Sequence, residues 1–329
     1  MTPDSDSDAG RVHDLRDRRV FLTGGTGSVG RTLLDYLDRC HDAHGGLCVT
    51  VLTRDATAFA ERYPAQAQRP WLELVEGSLA HLPSLPAGTT DVIHAAADTH
   101  LGAGHAAWID QIVGGTQGLL EAAIQARVGR FLLVSSGAVY GPQPASLERL
   151  DEAYSGAPDP LLASSTYGQA KRVAEQLCTI ACNEHGLQTV ISRLFAFGSV
   201  HMPRDDRYAL GSFVRDALAQ DNRPIQVAGD GLAIRSYLGG NDMAHALITA
   251  LIAGKAGSAY NVGSDEPITI RALAERIRDR VSPRRDVIIR GATGNGQRSR
   301  YVPDVDKIVA LGAVARTDLN KVIDEVASL

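Results

Sequence analysis

The stretch Arg19-Val20-Phe21-Leu22, then Thr23-Gly24-Gly25-Thr26-Gly27-Ser28-Val29-Gly30, then a run carrying Leu33, Leu34 and Leu37 decides the fold. The opening residues favour a strand, and the leucines recur at helical spacing. G-x-x-G-x-x-G at such a junction has a physical use. Gly24 lets the chain turn tightly, Gly27 lets backbone approach a diphosphate, and Gly30 lets helix and strand pack closely. With Ser28 and Val29, the helix start offers free N–H groups and a positive dipole end to phosphate oxygens. A glycine triplet alone is a weak signal; its place on the first strand of a strand–helix–strand pattern strengthens it.

On either side of this loop the pattern repeats. Segments 48–52, 71–75, 91–94, 131–134 and 189–192 read as strands, and 112–126 and 167–185 as helices. Strands alternating with helices of ten or more residues predict a doubly wound parallel sheet, an α/β Rossmann fold with helices on both faces. Residues 1–17 read as a flexible tail and 18–198 as the dinucleotide-binding domain. Residues 199–329 read as a smaller α+β substrate domain, with parts near 235–265 returning to the sheet.

Composition excludes some functions. The 329 residues carry a net charge of −5, which leaves no broad basic surface for nucleic acid. No apolar run approaches the ~20 residues of a membrane helix. The polar start lacks a signal-peptide pattern, and four cysteines are too few for a disulfide scaffold. A cytoplasmic protein with reduced thiols is expected.

The second strand ends in Leu52-Thr53-Arg54, where a carboxylate would hold ribose hydroxyls. Thr53 brings no charge to repel a 2′-phosphate and Arg54 could pair with one, which leans toward NADP. Arg54 could equally stack on adenine or face solvent, so NAD stays open.

Two segments carry chemistry. Val134-Ser135-Ser136-Gly137-Ala138-Val139-Tyr140-Gly141 follows a buried strand, and Tyr167-Gly168-Gln169-Ala170-Lys171 opens a helix. The spacing puts Tyr167 and Lys171 on one helix face. A tyrosine of pKa ~10 is a poor base at neutral pH. A nearby ammonium and a nicotinamide's positive charge would favour its phenolate. Tyr167 could then take a proton from a sugar hydroxyl as hydride leaves, with Ser136 holding the same oxygen.

These motifs, with His94-Ala95-Ala96-Ala97, Gly229-Asp230-Gly231, Arg235 and Asn261-Val262-Gly263, resemble the extended short-chain dehydrogenase/reductases, the NAD(P)-dependent nucleotide-sugar epimerase/dehydratase family. The resemblance runs from about Arg19 to the C-terminus. It implies a nucleotide-activated sugar as partner, bound by the C-terminal region, and a homodimer through the helix holding Tyr167, with Val173, Leu177 and Ile180 compatible. It implies Ser136, Tyr167 and Lys171 as catalytic residues, and Ser78, Leu79 and Ala95 to Ala97 beside the cofactor. Ser136, Gly137 and Arg235, with Arg204 and Arg207 as helpers, fall on the substrate side.

The departures narrow the chemistry. Dehydratases of the family carry an acidic pair where this chain has Gly137 and Ala138, which cannot exchange protons. That disfavours a 4,6-dehydratase and a decarboxylase using the same glutamate. The family's asparagines are Ile112 and Ala196 here, its adenine-side aspartate is Ser78, and the arginine expected before Tyr301 is not in register, though Arg298 and Arg300 lie close by. The leading expectation is an epimerase acting at C4. A keto-sugar reductase using NADPH and a non-catalytic dinucleotide-binding scaffold are the competing readings. Asp98, Thr99 and His100 are weighed evenly between the site and a solvated loop. His201 reads as a loop hydrogen-bonder, and Trp108 and Phe131 as packing.

Overall fold

The computed structural model describes residues 12–96, 104–291 and 299–328. The first half runs β1 (Arg19–Thr23), α1 (Ser28–His44), β2 (Cys48–Thr53), α2 (Ala56–Arg62), α3 (Pro64–Ala67), β3 (Leu72–Glu76) and β4 (Asp91–His94). It continues with α4 (His105–Ile109), a π-helical segment at Asp110–Gly114, α5 (Gly115–Gln125), β5 (Arg130–Ser136), α6 (Thr166–His185) and β6 (Gln188–Leu194). The remainder is β7 (Phe197–Gly198), α7 (Ala209–Leu218), β8 (Ile225–Val227), β9 (Ile234–Arg235), β10 (Leu238–Gly239), α8 (Gly240–Ala253) and β11 (Ser258–Val262). Then come β12 (Ile268–Thr269), α9 (Ile270–Val281), β13 (Val287–Ile289), β14 (Arg300–Tyr301), α10 (Asp306–Val309) and α11 (Leu319–Ala327).

Seven strands form one parallel sheet in the order β11-β6-β5-β4-β1-β2-β3. The strand period of two sends alternate residues to opposite faces. Val20, Leu22, Leu132 and Val134 pack under Leu33, Leu37, Leu247 and Leu251 of α1 and α8. Phe21, Phe131 and Leu133 pack under Leu119 and Ala123 of α5 and Ala174 and Cys178 of α6. A separate core joins α7, β8, α9 and α11 through Phe213, Val214, Ile225, Leu273, Ile277 and Val322. Among the described residues no helix is long and apolar enough to cross a membrane.

Strand order reverses between β1 and β4, which opens a crevice at their C-terminal ends. The tail expected through residue 17 ends sooner. Leu15 is buried, and His13 bonds Tyr36 Oη at 2.7 Å and Thr249 Oγ1 at 3.1 Å while stacking on His245. Apolar burial and three polar partners fix this segment against α1 and α8.

Candidate active site

The glycine loop lies in the crevice. Gly24 has φ +78°, and a Cβ there would stand 2.6 Å from Ala96 N. A Cβ on Gly30 would stand 2.1 Å from Gly24 O. Gly27 is different. Its φ is −82°, and a Cβ would meet only an ordinary contact, 3.5 Å from Gly24 O. Neither backbone nor packing requires glycine at 27, so its bare surface suits a ligand lying on the loop. Ser28 Oγ, on the first residue of α1, is buried without a partner, and the first turn of that helix carries no carboxylate. Leaving a buried hydroxyl unsatisfied costs about 1–3 kcal/mol, which a phosphate oxygen would recover. Arg31 Nε is also buried without a partner, its guanidinium 4.0 Å over the Tyr63 ring. These residues fit a dinucleotide diphosphate.

His94 pins the loop from below. Its Nδ1 lies 2.7 Å from Thr23 Oγ1 and its Nε2 3.1 Å from Thr116 Oγ1. Thr116 spends its proton on Ile112 O at 2.6 Å, so it accepts from His94 Nε2–H, and Nδ1 accepts from Thr23. Burial, aided by the Lys171 charge, pushes the imidazole down to about 3. It is a neutral strut tying β1, β4 and α5. Ala95 N donates to Thr23 O at 3.2 Å and Ala96 N to Thr23 Oγ1 at 3.4 Å. Ala97, like Asp98, Thr99, His100 and Arg298, lies outside the described residues.

At the end of β2, the Thr53 hydroxyl is occupied by the Asp55 backbone, at 3.1 Å and 3.3 Å. Arg54 is exposed and has no ion-pair partner among the described residues. Ser78 Oγ accepts from His81 N at 3.1 Å, and Leu79 packs against Gly115 of α5.

Ser136 closes β5, and α6 brings Tyr167 and Lys171 to it. Lys171 is 2% exposed; its Nζ donates to Val134 O at 2.9 Å and lies 6.0 Å from the Tyr167 ring centre. Burial pushes its ammonium down to about 8, against the pull of Glu175. Burial raises Tyr167 to about 12, while a hydrogen bond with Ser136 eases it down and Tyr208 pushes it up. Without a nicotinamide's positive charge in the site, desolvation outweighs the other influences on this phenol, and Lys171 Nζ directs one of its three protons to the Val134 carbonyl.

Three aromatic residues meet this group: Trp108, read from the sequence as packing, and Tyr208 and Tyr301. Trp108 sits edge-on to Tyr167, centroids 6.2 Å apart, with its Nε1 buried and without a partner among the described residues. Tyr208 bears electrostatically on Tyr167. The Tyr301 phenol fills the space over Gly137, where a Cβ would stand 2.5 Å from its oxygen, and burial raises it. An aromatic residue following an arginine-bearing loop was the one available signal for Tyr208; Tyr301 was visible only as a family motif.

The three candidate substrate arginines part ways. Arg204 has a buried Nη2 without a partner and is lowered by desolvation. Arg207 makes a bidentate pair with Asp205, Nη2–Oδ2 2.6 Å. Arg235 donates to Ile234 O and Ser299 O, its guanidinium 6.0 Å over the Tyr301 ring. His201 Nε2 lies 2.5 Å from Asp35 Oδ2, a hydrogen-bonded loop histidine. Phe131 is wholly buried.

Over 304 residues the chain is 28% identical to a low-salt glycan biosynthesis protein of Haloferax volcanii, covering 89% of this chain and 92% of that one. Over 302 residues it is 28% identical to a dTDP-glucose 4,6-dehydratase of Streptomyces niveus, covering 88% and 85%. The fold matches a solved UDP-N-acetylglucosamine 4-epimerase of Methanobrevibacter ruminantium with a TM-score of 0.78 and 20% identity, covering 95% and 96%. The sequence profile described as the NAD dependent epimerase/dehydratase family matches residues 20–263. The chain therefore belongs to the NAD-dependent epimerase/dehydratase family, enzymes of the extended short-chain dehydrogenase/reductase type that act on nucleotide sugars.

Proposed function

We propose that this protein is a nucleotide-sugar epimerase that oxidises a sugar hydroxyl, at C4, and re-reduces the keto-sugar on its opposite face. The observation that carries the reading is Ser136, Tyr167 and Lys171 gathered at one strand end beside Gly137 and Ala138, where no carboxylate is present to drive elimination. When bound, NAD or NADP supplies the hydride acceptor and a positive charge. Gly27, Ser28 and the α1 N-terminus would hold its diphosphate. Tyr167 would take the hydroxyl proton and return it after the sugar has turned over. A base near 12 is inert at neutral pH, so the loaded site must lower it by several units. Arg204, whose buried Nη2 is unpartnered, and Arg235 are the groups for the sugar diphosphate. Arg207 is neutralised by Asp205 and contributes less.

Val173 and Ile180 lie two turns apart on α6 and are 45% and 38% exposed, which supports pairing with a second copy along this helix. Arg54, exposed and without an ion-pair partner among the described residues, favours NADP and with it a second reading, a keto-sugar reductase. The deciding experiment incubates the protein with UDP- and dTDP-hexoses and follows sugar protons by NMR. Inversion at one carbon with no net nicotinamide absorbance change is expected, as is a loss of turnover of about 10²–10⁴ in Tyr167→Phe. Stoichiometric NADPH consumption would favour the reductase. No turnover of any sugar nucleotide would defeat both.

A further inference from the structure

We infer that His201 is a positioning residue, whose hydrogen bond to Asp35 on α1 holds the loop that carries Arg204 and so sets that guanidinium for the diphosphate of a sugar nucleotide. The inference rests on the reading of Arg204 as a diphosphate ligand.

The loop 199–204 runs from β7 toward α7 and is pinned at successive residues. Ser199 Oγ and Thr32 Oγ1 of α1 lie 3.0 Å apart, and the His201 amide donates to Ser199 Oγ at 3.3 Å. A Cβ on Gly211, in the first turn of α7, would stand 2.2 Å from Pro203 O and 3.3 Å from Arg204 Cα. The start of α7 therefore presses on the loop from its other end.

His201 sits between these contacts. Its Nε2 lies 2.5 Å from Asp35 Oδ2, and Gln66 Nε2 donates to Asp35 Oδ1 at 2.9 Å. A carboxylate only accepts, which places the His201 proton on Nε2. The imidazole is 8% exposed, and its Nδ1 is buried without a partner among the described residues. Among those residues the Asp35 bond is thus the polar anchor of the ring, and Gln66 steadies the anchor. Three positions further on, Arg204 Nη2 is buried and also without a partner among the described residues. A guanidinium pairs strongly with phosphate oxygens, and holding it in place beforehand removes an ordering cost from binding. Asp35 lies about two helical turns beyond the cofactor end of α1, so the loop can be loosened without disturbing that end.

The test is calorimetric titration with UDP, with dTDP and separately with NAD⁺, none of which needs turnover. Arg204→Ala should weaken both nucleoside diphosphates about tenfold. His201→Ala should weaken them about fivefold and keep NAD⁺ affinity within about twofold of the parent. His201→Gln, whose amide can still donate to Asp35, should recover most of that loss. In an Arg204→Ala background His201→Ala should add nothing, because its effect runs through that guanidinium. Should His201→Ala not fold, Asp35→Ala opens the same bond from α1, where the carboxylate is 36% exposed. Unchanged diphosphate binding in the variant that opens the bond, an equal loss with Arg204 absent, or a matching loss of NAD⁺ overturns the inference and leaves Arg204 its role. Undiminished binding by Arg204→Ala, or no binding of either diphosphate by the parent, removes the reading of Arg204 and the inference with it. The two failures are therefore told apart.

Discussion

Arg193 of β6 holds the Glu175 carboxylate of α6 at both oxygens, Nη2–Oε2 at 2.8 Å and Nε–Oε1 at 3.1 Å. Ser135 Oγ caps the same carboxylate at 2.6 Å, and Arg193 reaches on to Tyr140 Oη at 2.9 Å. Glu175 lies one helical turn beyond Lys171 and pulls its ammonium upward against burial. A buried ion pair thus braces the helix that carries the site. Arg193→Leu strands the carboxylate and should cost about 3–5 kcal/mol in urea unfolding. Arg193→Leu combined with Glu175→Leu should cost less than the two single changes summed.

The glycine loop separates folding from binding. Gly30→Ala drives a methyl into the Gly24 carbonyl and should destabilise by about 1–3 kcal/mol or more. Gly27→Ala meets no clash at a φ any residue adopts, and its stability should stay within about 0.5 kcal/mol of the parent. Its dinucleotide affinity should nonetheless fall about tenfold, a loss of about 1.4 kcal/mol. Thermal unfolding and calorimetric titration with NAD⁺ measure the two quantities on the same samples.

His94 sets an acid limit. Below its ordinary 6.5 the unfolded chain takes up a proton that the folded protein refuses until about 3. The unfolded state binds more protons across that window, so stability falls as pH falls, by about 1.4 kcal/mol per unit from this group. His94→Asn should flatten this part of the slope while lowering stability at neutral pH through the lost Thr23 and Thr116 bonds. Denaturant unfolding from pH 7 to pH 4 gives both slopes.

The exposed stripe on α6 makes an assembly prediction. Val173→Asp with Ile180→Asp should leave the fold intact, because both side chains are open to solvent. Sedimentation should then find a lighter species than the parent at equal concentration. An unchanged sedimentation coefficient, with the parent already dimeric, would place the contact elsewhere.

The sheet was legible because its signals are local. Apolar runs such as Phe131 to Val134 carry their own period, and the roles of Gly24 and Gly30 follow from a turn and a close approach read in place. Tyr167 and Lys171 were legible because four residues span one helical turn. What was hidden depends on distant neighbours. Nothing near Gly137 announces that Tyr301 fills its space, and β7, β9, β10, β12 and β14 are two-residue strands with no period to detect. The burial that raises Tyr167 was hidden because residue spacing says nothing of it. Leu15 and His13 looked like tail because their partners, on α1 and α8, come later in the chain.

The π-helical segment at Asp110–Gly114 has a bearing on Trp108. A coil of this kind holds one residue more than regular winding, which rotates whatever precedes it by about 100°. Trp108 reaches the edge of Tyr167 on the strength of that phase slip. Excising a single residue from the widened turn should swing the indole off the phenol, so the surroundings of Tyr167 are set by helix pitch as much as by side-chain identity.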